Sequence, residues 1–264
     1  MPPTPESQAL ASLFASLRAD MSPTTTLPTH RALSDQTWSV GAEPKDVTYE
    51  ETSLGNSPCL RIRPQNASPK HALLYLHGGG LVGCKPTRSI NYRLTPENTY
   101  PAAHEDCFAA YAALLEEEGF DAKNVVLAGD SAGAGLVATT ILQAKAKPAA
   151  CGNVGKDVLS SLEGVRMFAG MYTAGKIDVK DASVNALYAD LKGFPPAWVS
   201  VAEYDSLADD GKRFKESVEG VGGEVVLRVG EGMQHIFEFM MGKAREADES
   251  VEAIGKWVSG KIGS

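Results

Sequence analysis

The chain has 264 residues, 43% of them hydrophobic, which suffices for one sizeable core and falls short of two ordinary domains plus linkers. Its net charge of −8 argues against nucleic acid as a partner, because binding a phosphate backbone takes a basic patch. No stretch approaches the roughly 20 apolar residues of a membrane span, and Glu6 stands where a signal peptide would be apolar, so a cytoplasmic location is expected.

In chain order, residues 7–21 place Leu10, Leu13, Phe14, Leu17 and Met21 at helical spacing, which predicts a helix lying over the body of the fold. Residues 22–36 read as a Pro/Thr-rich connector. Short strands are then expected at Asp46–Thr52, at Cys59–Ile62 after the Gly55-Asn56 turn, and at His71–Leu76. Asn124–Ala128 reads as a buried strand that runs into a helix over Ala134–Ala144. Trp198–Ala202 and Glu224–Val229 are two further strands, separated by a helix around Leu207–Val218. A last helix puts Val251, Ile254, Trp257 and Val258 on one face. This alternation implies an α/β fold with a mostly parallel sheet covered on both sides.

Cys59, Cys84, Cys107 and Cys151 are scattered, with no CxxC pair, so reduced structural thiols are expected and no metal site. No cofactor is implied.

Gly129-Asp130-Ser131-Ala132-Gly133 matches GxSxG. The pattern alone is weak; its setting, directly after the strand NVVLA and at the start of a helix, is the strand–turn–helix arrangement that exposes a nucleophilic serine. Glycines at 129 and 133 leave room for the sharp turn, and the helix start places free N–H groups beside the hydroxyl. His77-Gly78-Gly79-Gly80 ends the preceding strand. Three successive glycines let backbone amides face a negative oxygen without side chains in the way. The loop has neither the GK[ST] nor the GxGxxG pattern of a phosphate-binding turn.

Of the five histidines, only His235 lies in a loop directly after a late strand, where it would share the strand ends with Ser131. Asp205 also follows a strand, whereas Asp209 and Asp210 fall inside the next helix. His235 is therefore expected as general base and Asp205 as the carboxylate that fixes its tautomer.

With HGGG at 77–80, YRLTPE at 92–97, PAAHED at 101–106, GDSAG at 129–133, YDSLADD at 204–210 and GMQHIF at 232–237, the chain resembles the hormone-sensitive-lipase-like (family IV) carboxylesterases of the α/β-hydrolase fold. The order Ser, Asp, His agrees with that fold. The resemblance implies hydrolysis of small-molecule carboxylic esters without cofactor or metal. It also implies an oxyanion hole from the amides of Gly79, Gly80 and Ala132, and a supporting role for Tyr92–Glu97 and Asp106. A single domain is expected, with cap segments at residues 1–40 and 156–195. A lactone hydrolase, a pathway-specific deacetylating esterase or a non-catalytic ligand-binding form would carry the same motifs.

Two pieces of the family's layout are missing from the sequence. Only eleven residues separate Gly80 from Tyr92, too few for the expected helix and strand. The stretch AKPAACGNVGKDV after the serine-bearing helix lacks the apolar run of a strand. About six strands of eight are therefore expected.

Overall fold

An antiparallel hairpin of β1 (Val47–Leu54) and β2 (Ser57–Pro64) precedes a five-stranded parallel sheet. The sheet runs in the order β3 (Ala72–Leu76), β4 (Val125–Gly129), β5 (Asn153–Lys156), β6 (Ala197–Ala202) and β7 (Val225–Gly230). The computed structural model describes residues 4–20, 25–37, 39–83, 89–146, 153–156, 162–205 and 207–262. The hairpin turn is made by Gly55 and Asn56, at φ of 56° and 70°, the positive values that a tight two-residue turn requires of both central residues.

Seven α-helices are described: α1 (Pro5–Asp20), α2 (Leu27–Thr37), α3 (Ala102–Glu116), α4 (Ala132–Ala146), α5 (Leu162–Thr173), α6 (Ala208–Glu219) and α7 (Arg245–Ile262). Strand β6 shows how both sheet faces are covered. All six of its residues are buried, as in a sheet covered by helices on both faces. Val199 and Val201 pack against Gly211 of α6, so close that a Cβ there would lie 2.6 Å from Val201. On the other face Trp198 meets Trp257 of α7, with ring centroids 6.0 Å apart. The main core gathers Leu76, Leu127, Leu136, Val137 and Ile141 between β3, β4 and α4. No helix among the described residues is long and apolar enough to cross a membrane.

Several expectations are corrected. The segment 22–36 is not merely a connector: Leu27–Thr37 is helical, with Pro28 in the first turn, where its missing N–H costs nothing. A strand does follow the serine-bearing helix. β5 lies in AKPAACGNVGKDV and pairs in parallel with both β4 and β6. Its residues, Asn153-Val154-Gly155-Lys156, carry no apolar run; the neighbours on either side hold it through backbone hydrogen bonds, which leave no pattern in the side chains. The described strands thus number seven rather than six. In the short stretch before Tyr92, Ile90 bridges Cys59 of β2 in antiparallel fashion. The Asn91 N–H donates to the Pro58 carbonyl at 2.7 Å, one rung of pairing where a full strand was expected to be lacking. Cys59 and Cys107 are free thiols; Cys84 and Cys151 lie outside the described residues, as does Met21 of the predicted N-terminal helix.

Candidate active site

Ser131 sits between the end of β4 and the start of α4 with φ of 51°, a left-handed conformation that non-glycine residues seldom adopt. The sharp turn works only because its flanks are bare. A Cβ on Gly133 would fall 1.9 Å from the Leu76 carbonyl oxygen, and one on Gly129 2.7 Å from the same atom. The glycine loop is bound to this turn from the other side. Oδ1 of the buried Asp130 accepts the Gly78 N–H at 2.9 Å and the Tyr75 hydroxyl at 2.8 Å. A Cβ on Gly78 would meet the Asp130 carboxylate at 2.2 Å.

Beyond Gly78 the backbone enters a run of positive φ: 92° at Gly79, 64° at Gly80 and 63° at Leu81. The N–H groups of Val82 and Gly83 close this turn onto the Gly79 carbonyl. Tyr92 braces it from beneath. Its ring stacks on His77 at 4.2 Å and its hydroxyl donates to the His77 carbonyl at 2.6 Å.

Asp205 and His235 come from the ends of β6 and β7. The loops that carry them are joined by three hydrogen bonds: Glu203 N–H to the Gly230 carbonyl, Tyr204 N–H to the Met233 carbonyl, and Gly232 N–H to the Glu203 carboxylate at 2.6 Å. Across this junction His235 Nδ1 lies 2.8 Å from Asp205 Oδ2, with both side chains buried. A carboxylate can only accept, so the hydrogen is on Nδ1 and the lone pair of the neutral ring is on Nε2. The second Asp205 oxygen accepts the Leu207 N–H at 2.8 Å, which fixes the carboxylate at the entrance to α6. Burial drives the His235 pKa down to about 4, against the opposing pull of Asp205. Asp209 and Asp210 pair with Lys212 and Arg213 along α6, and Asp210 also lines the cavity that holds Ser131.

Ser131, Ala132 and Gly80 line a cavity of about 570 Å³ whose far walls come from α5, the 3-10 turn at Ala186–Tyr188, and Val199 and Val201 of β6. Phe168 of α5 lies directly on Gly80 and touches His30 of α2 edge-on, with centroids 5.4 Å apart. Arg31 secures α2 by donating to the Val82 carbonyl at 2.8 Å and by a two-pronged ion pair with Glu97. Among the described residues no cluster of three or more metal-ligating side chains occurs.

Of the residues expected at the nucleophile and oxyanion hole, Ser131, Ala132 and Gly80 line one cavity, and Gly79 directly precedes Gly80 in the positive-φ run. The structure likewise joins Asp205 to His235. Sequence reasoning missed the Asp130–Tyr75–Gly78 bridge and the Glu203 junction, although Asp130 stands inside the motif that drew attention.

The family described as alpha/beta hydrolase fold matches residues 86–155 and 148–239. An acetyl-hydrolase of Streptomyces hygroscopicus is 28% identical over 257 residues, covering 83% of this chain and 84% of its own length. An esterase of Acinetobacter venetianus is 29% identical over 253 residues, covering 77% and 83%. Among solved structures, an esterase from the bacterial hormone-sensitive lipase family superposes with a TM-score of 0.92 at 26% identity, over 100% of both chains. The chain belongs to the α/β-hydrolase fold family, on its hormone-sensitive-lipase-like esterase branch.

Proposed function

We propose that the protein is a serine hydrolase that cleaves carboxylic esters of small molecules through an acyl-enzyme on Ser131. The observation that carries this reading is the buried 2.8 Å contact between His235 Nδ1 and Asp205, which leaves the Nε2 lone pair as the ring's basic site. His235 takes the Ser131 proton as the hydroxyl oxygen attacks the ester carbonyl. The amides of Gly79, Gly80 and Ala132 stabilise the resulting oxyanion, in a loop whose positive φ values are set before substrate arrives. The imidazolium returns its proton to the leaving alcohol, the C–O bond breaks, and an ester to Ser131 remains. Water, deprotonated by the same histidine, then releases the acid. Asp205 holds the ring in place and stabilises the imidazolium.

Segments 1–40 and 156–195 act in this reading as caps over the cavity, with α2 and α5 meeting above Gly80 through His30 and Phe168. The acetyl-hydrolase among the relatives favours short acyl groups as a starting class. Hydrolysis of p-nitrophenyl acetate by the wild type and by Ser131→Ala tests the proposal. A loss of several hundredfold or more is expected, and equal rates would refute it. Labelling by a fluorophosphonate probe should map to the same serine.

A further inference from the structure

A second cavity, of about 360 Å³, lies beyond the one that holds Ser131. Both run along α4. The first is lined by Gly135 and Leu136 and the second by Thr139, Leu142 and Gln143, positions that follow one another at three- and four-residue steps on a single helical face. Of all the described residues lining either space, only His104 lines both.

The His104 ring is firmly held where the two spaces meet. Its Nδ1 lies 2.6 Å from the Tyr172 hydroxyl, and the two rings stack with centroids 5.6 Å apart. Tyr100 packs edge-on against both, at 5.6 Å and 6.1 Å. Tyr172 is locked in turn, because its carbonyl accepts the Tyr100 N–H at 2.8 Å. Tyr172 faces the first cavity and Tyr100 the second, so the three rings form a wall one side chain thick.

We infer that His104 is a size-setting partition, which stops the apolar chain of a bound ester at the end of the first cavity and closes off the second as an extension of the same channel. The inference rests on the ester-hydrolase reading above, and names a specificity residue for it rather than a catalytic one. A chain that enters from Ser131 along α4 meets the His104–Tyr172 pair end-on. Shortening residue 104 joins the two spaces and lets further methylenes leave water. Each buried methylene is worth about 0.8 kcal/mol, close to a fourfold gain in kcat/KM.

The test is a chain-length series in two arms: p-nitrophenyl esters from acetate to decanoate, and alkyl acetates from ethyl to decyl. Wild type, His104→Ala, His104→Phe and His104→Ala with Gln143→Trp are compared. In one arm His104→Ala should move the optimum to longer chains, raising kcat/KM relative to the same variant's value on the shortest ester by up to fourfold per added methylene. His104→Phe keeps a ring in the wall and should keep the wild-type profile. Gln143→Trp refills the second cavity and should cancel the gain. An unchanged optimum in both arms, or an equal shift in His104→Phe, would overturn the inference. Should His104→Ala lack a cooperative melt, His104→Leu takes its place with the same expectation in smaller degree. Ser131→Ala, run beside each series, separates the two claims: activity surviving in it defeats the serine mechanism, whereas a flat profile that depends on Ser131 defeats only the partition.

Discussion

Asp205 uses one carboxylate oxygen to accept the His235 Nδ1 proton at 2.8 Å and the other to accept the Leu207 N–H at 2.8 Å, so the group that orients the histidine is itself anchored to α6. The arrangement predicts that geometry and chemistry can be separated by substitution. Asp205→Asn keeps the anchor's shape but can present an NH₂ to Nδ1, which favours the tautomer with its hydrogen on Nε2. Under the proposed mechanism kcat should fall by about 10²–10⁴-fold with KM little changed. Steady-state kinetics on p-nitrophenyl acetate read this directly, and a loss confined to KM would contradict the role.

The histidines predict a pH dependence of stability. Burial holds His77, His104 and His235 each at about 4, below the ordinary 6.5. Between pH 6.5 and 4 the unfolded chain therefore binds protons at these sites that the folded chain does not, and folding stability falls as pH drops through that window. Above about pH 6.5 this contribution is fully present and flat. The slope is about 1.4 kcal/mol per pH unit for each histidine. Urea midpoints at pH 7.0, 5.5 and 4.5 should decline in order. Under the proposed mechanism, with His235 as base, the acid limb of kcat/KM should likewise sit near pH 4 rather than 6.5.

The glycine loop and the serine turn are held to each other, which makes glycine substitutions selective. Gly133→Ala forces a methyl to 1.9 Å from the Leu76 carbonyl and should destabilise by about 3 kcal/mol or more. Gly135→Ala, two residues on, meets nothing within 4 Å and lies inside α4, so it should be neutral or stabilise by up to about 1 kcal/mol. Thermal melts of the two variants decide this. A Gly135→Ala variant as damaged as Gly133→Ala would mean that the turn is not what limits size here.

Asp130 predicts a fourth effect. Its carboxylate joins Tyr75, Gly78 and the serine turn in a buried spot, so Asp130→Ala leaves both donors unanswered. A cost of about 1–3 kcal/mol per orphaned group is expected. Tyr75→Phe removes one donor together with its need for a partner and should cost far less. If the two variants melt alike, Asp130 is only filling space.

How much of this was readable beforehand depended on where each signal resides. Ser131, Asp205 and His235 stood out as candidates because each lies in the loop after a strand, and in a parallel sheet such loops share one edge. The tie between Asp130 and Gly78 spans 52 positions and depends on two adjacent strand ends, which no local pattern records. β5 escaped notice for a different reason: it is four residues long and its place is set by the strands on both sides. α2 was hidden by Pro28 and by threonines that read as a connector. Its position is set from outside, by Arg31 reaching Glu97, Thr95 and Val82.

Glu246 supplies the last prediction. It stands in the first turn of α7, and its carboxylate accepts the Thr4 N–H at 2.9 Å, the Thr4 hydroxyl at 2.8 Å and the Ser7 hydroxyl at 2.9 Å, which clasps the start of α1 to the body. Burial pushes this carboxyl up, but hydrogen bonds from its own amide, Thr4 and Ser7 outweigh it and bring the pKa down to about 2. The clasp is therefore complete above about pH 4.5 and weakens only as pH falls toward 2. α1 rests on the Phe237–Met240 turn that directly follows His235, so freeing the helix should loosen the histidine's support as well. Glu246→Ala is expected to lower Tm by several degrees, from a loss of about 1–3 kcal/mol. It should also open α1 to limited proteolysis and reduce kcat a fewfold without a matching rise in KM. Thr4→Val with Ser7→Ala, which removes the two hydroxyl donors from the other side, should reproduce most of that pattern. If the paired variant melts and turns over like wild type while Glu246→Ala does not, the carboxylate acts through some other contact and the clasp is refuted.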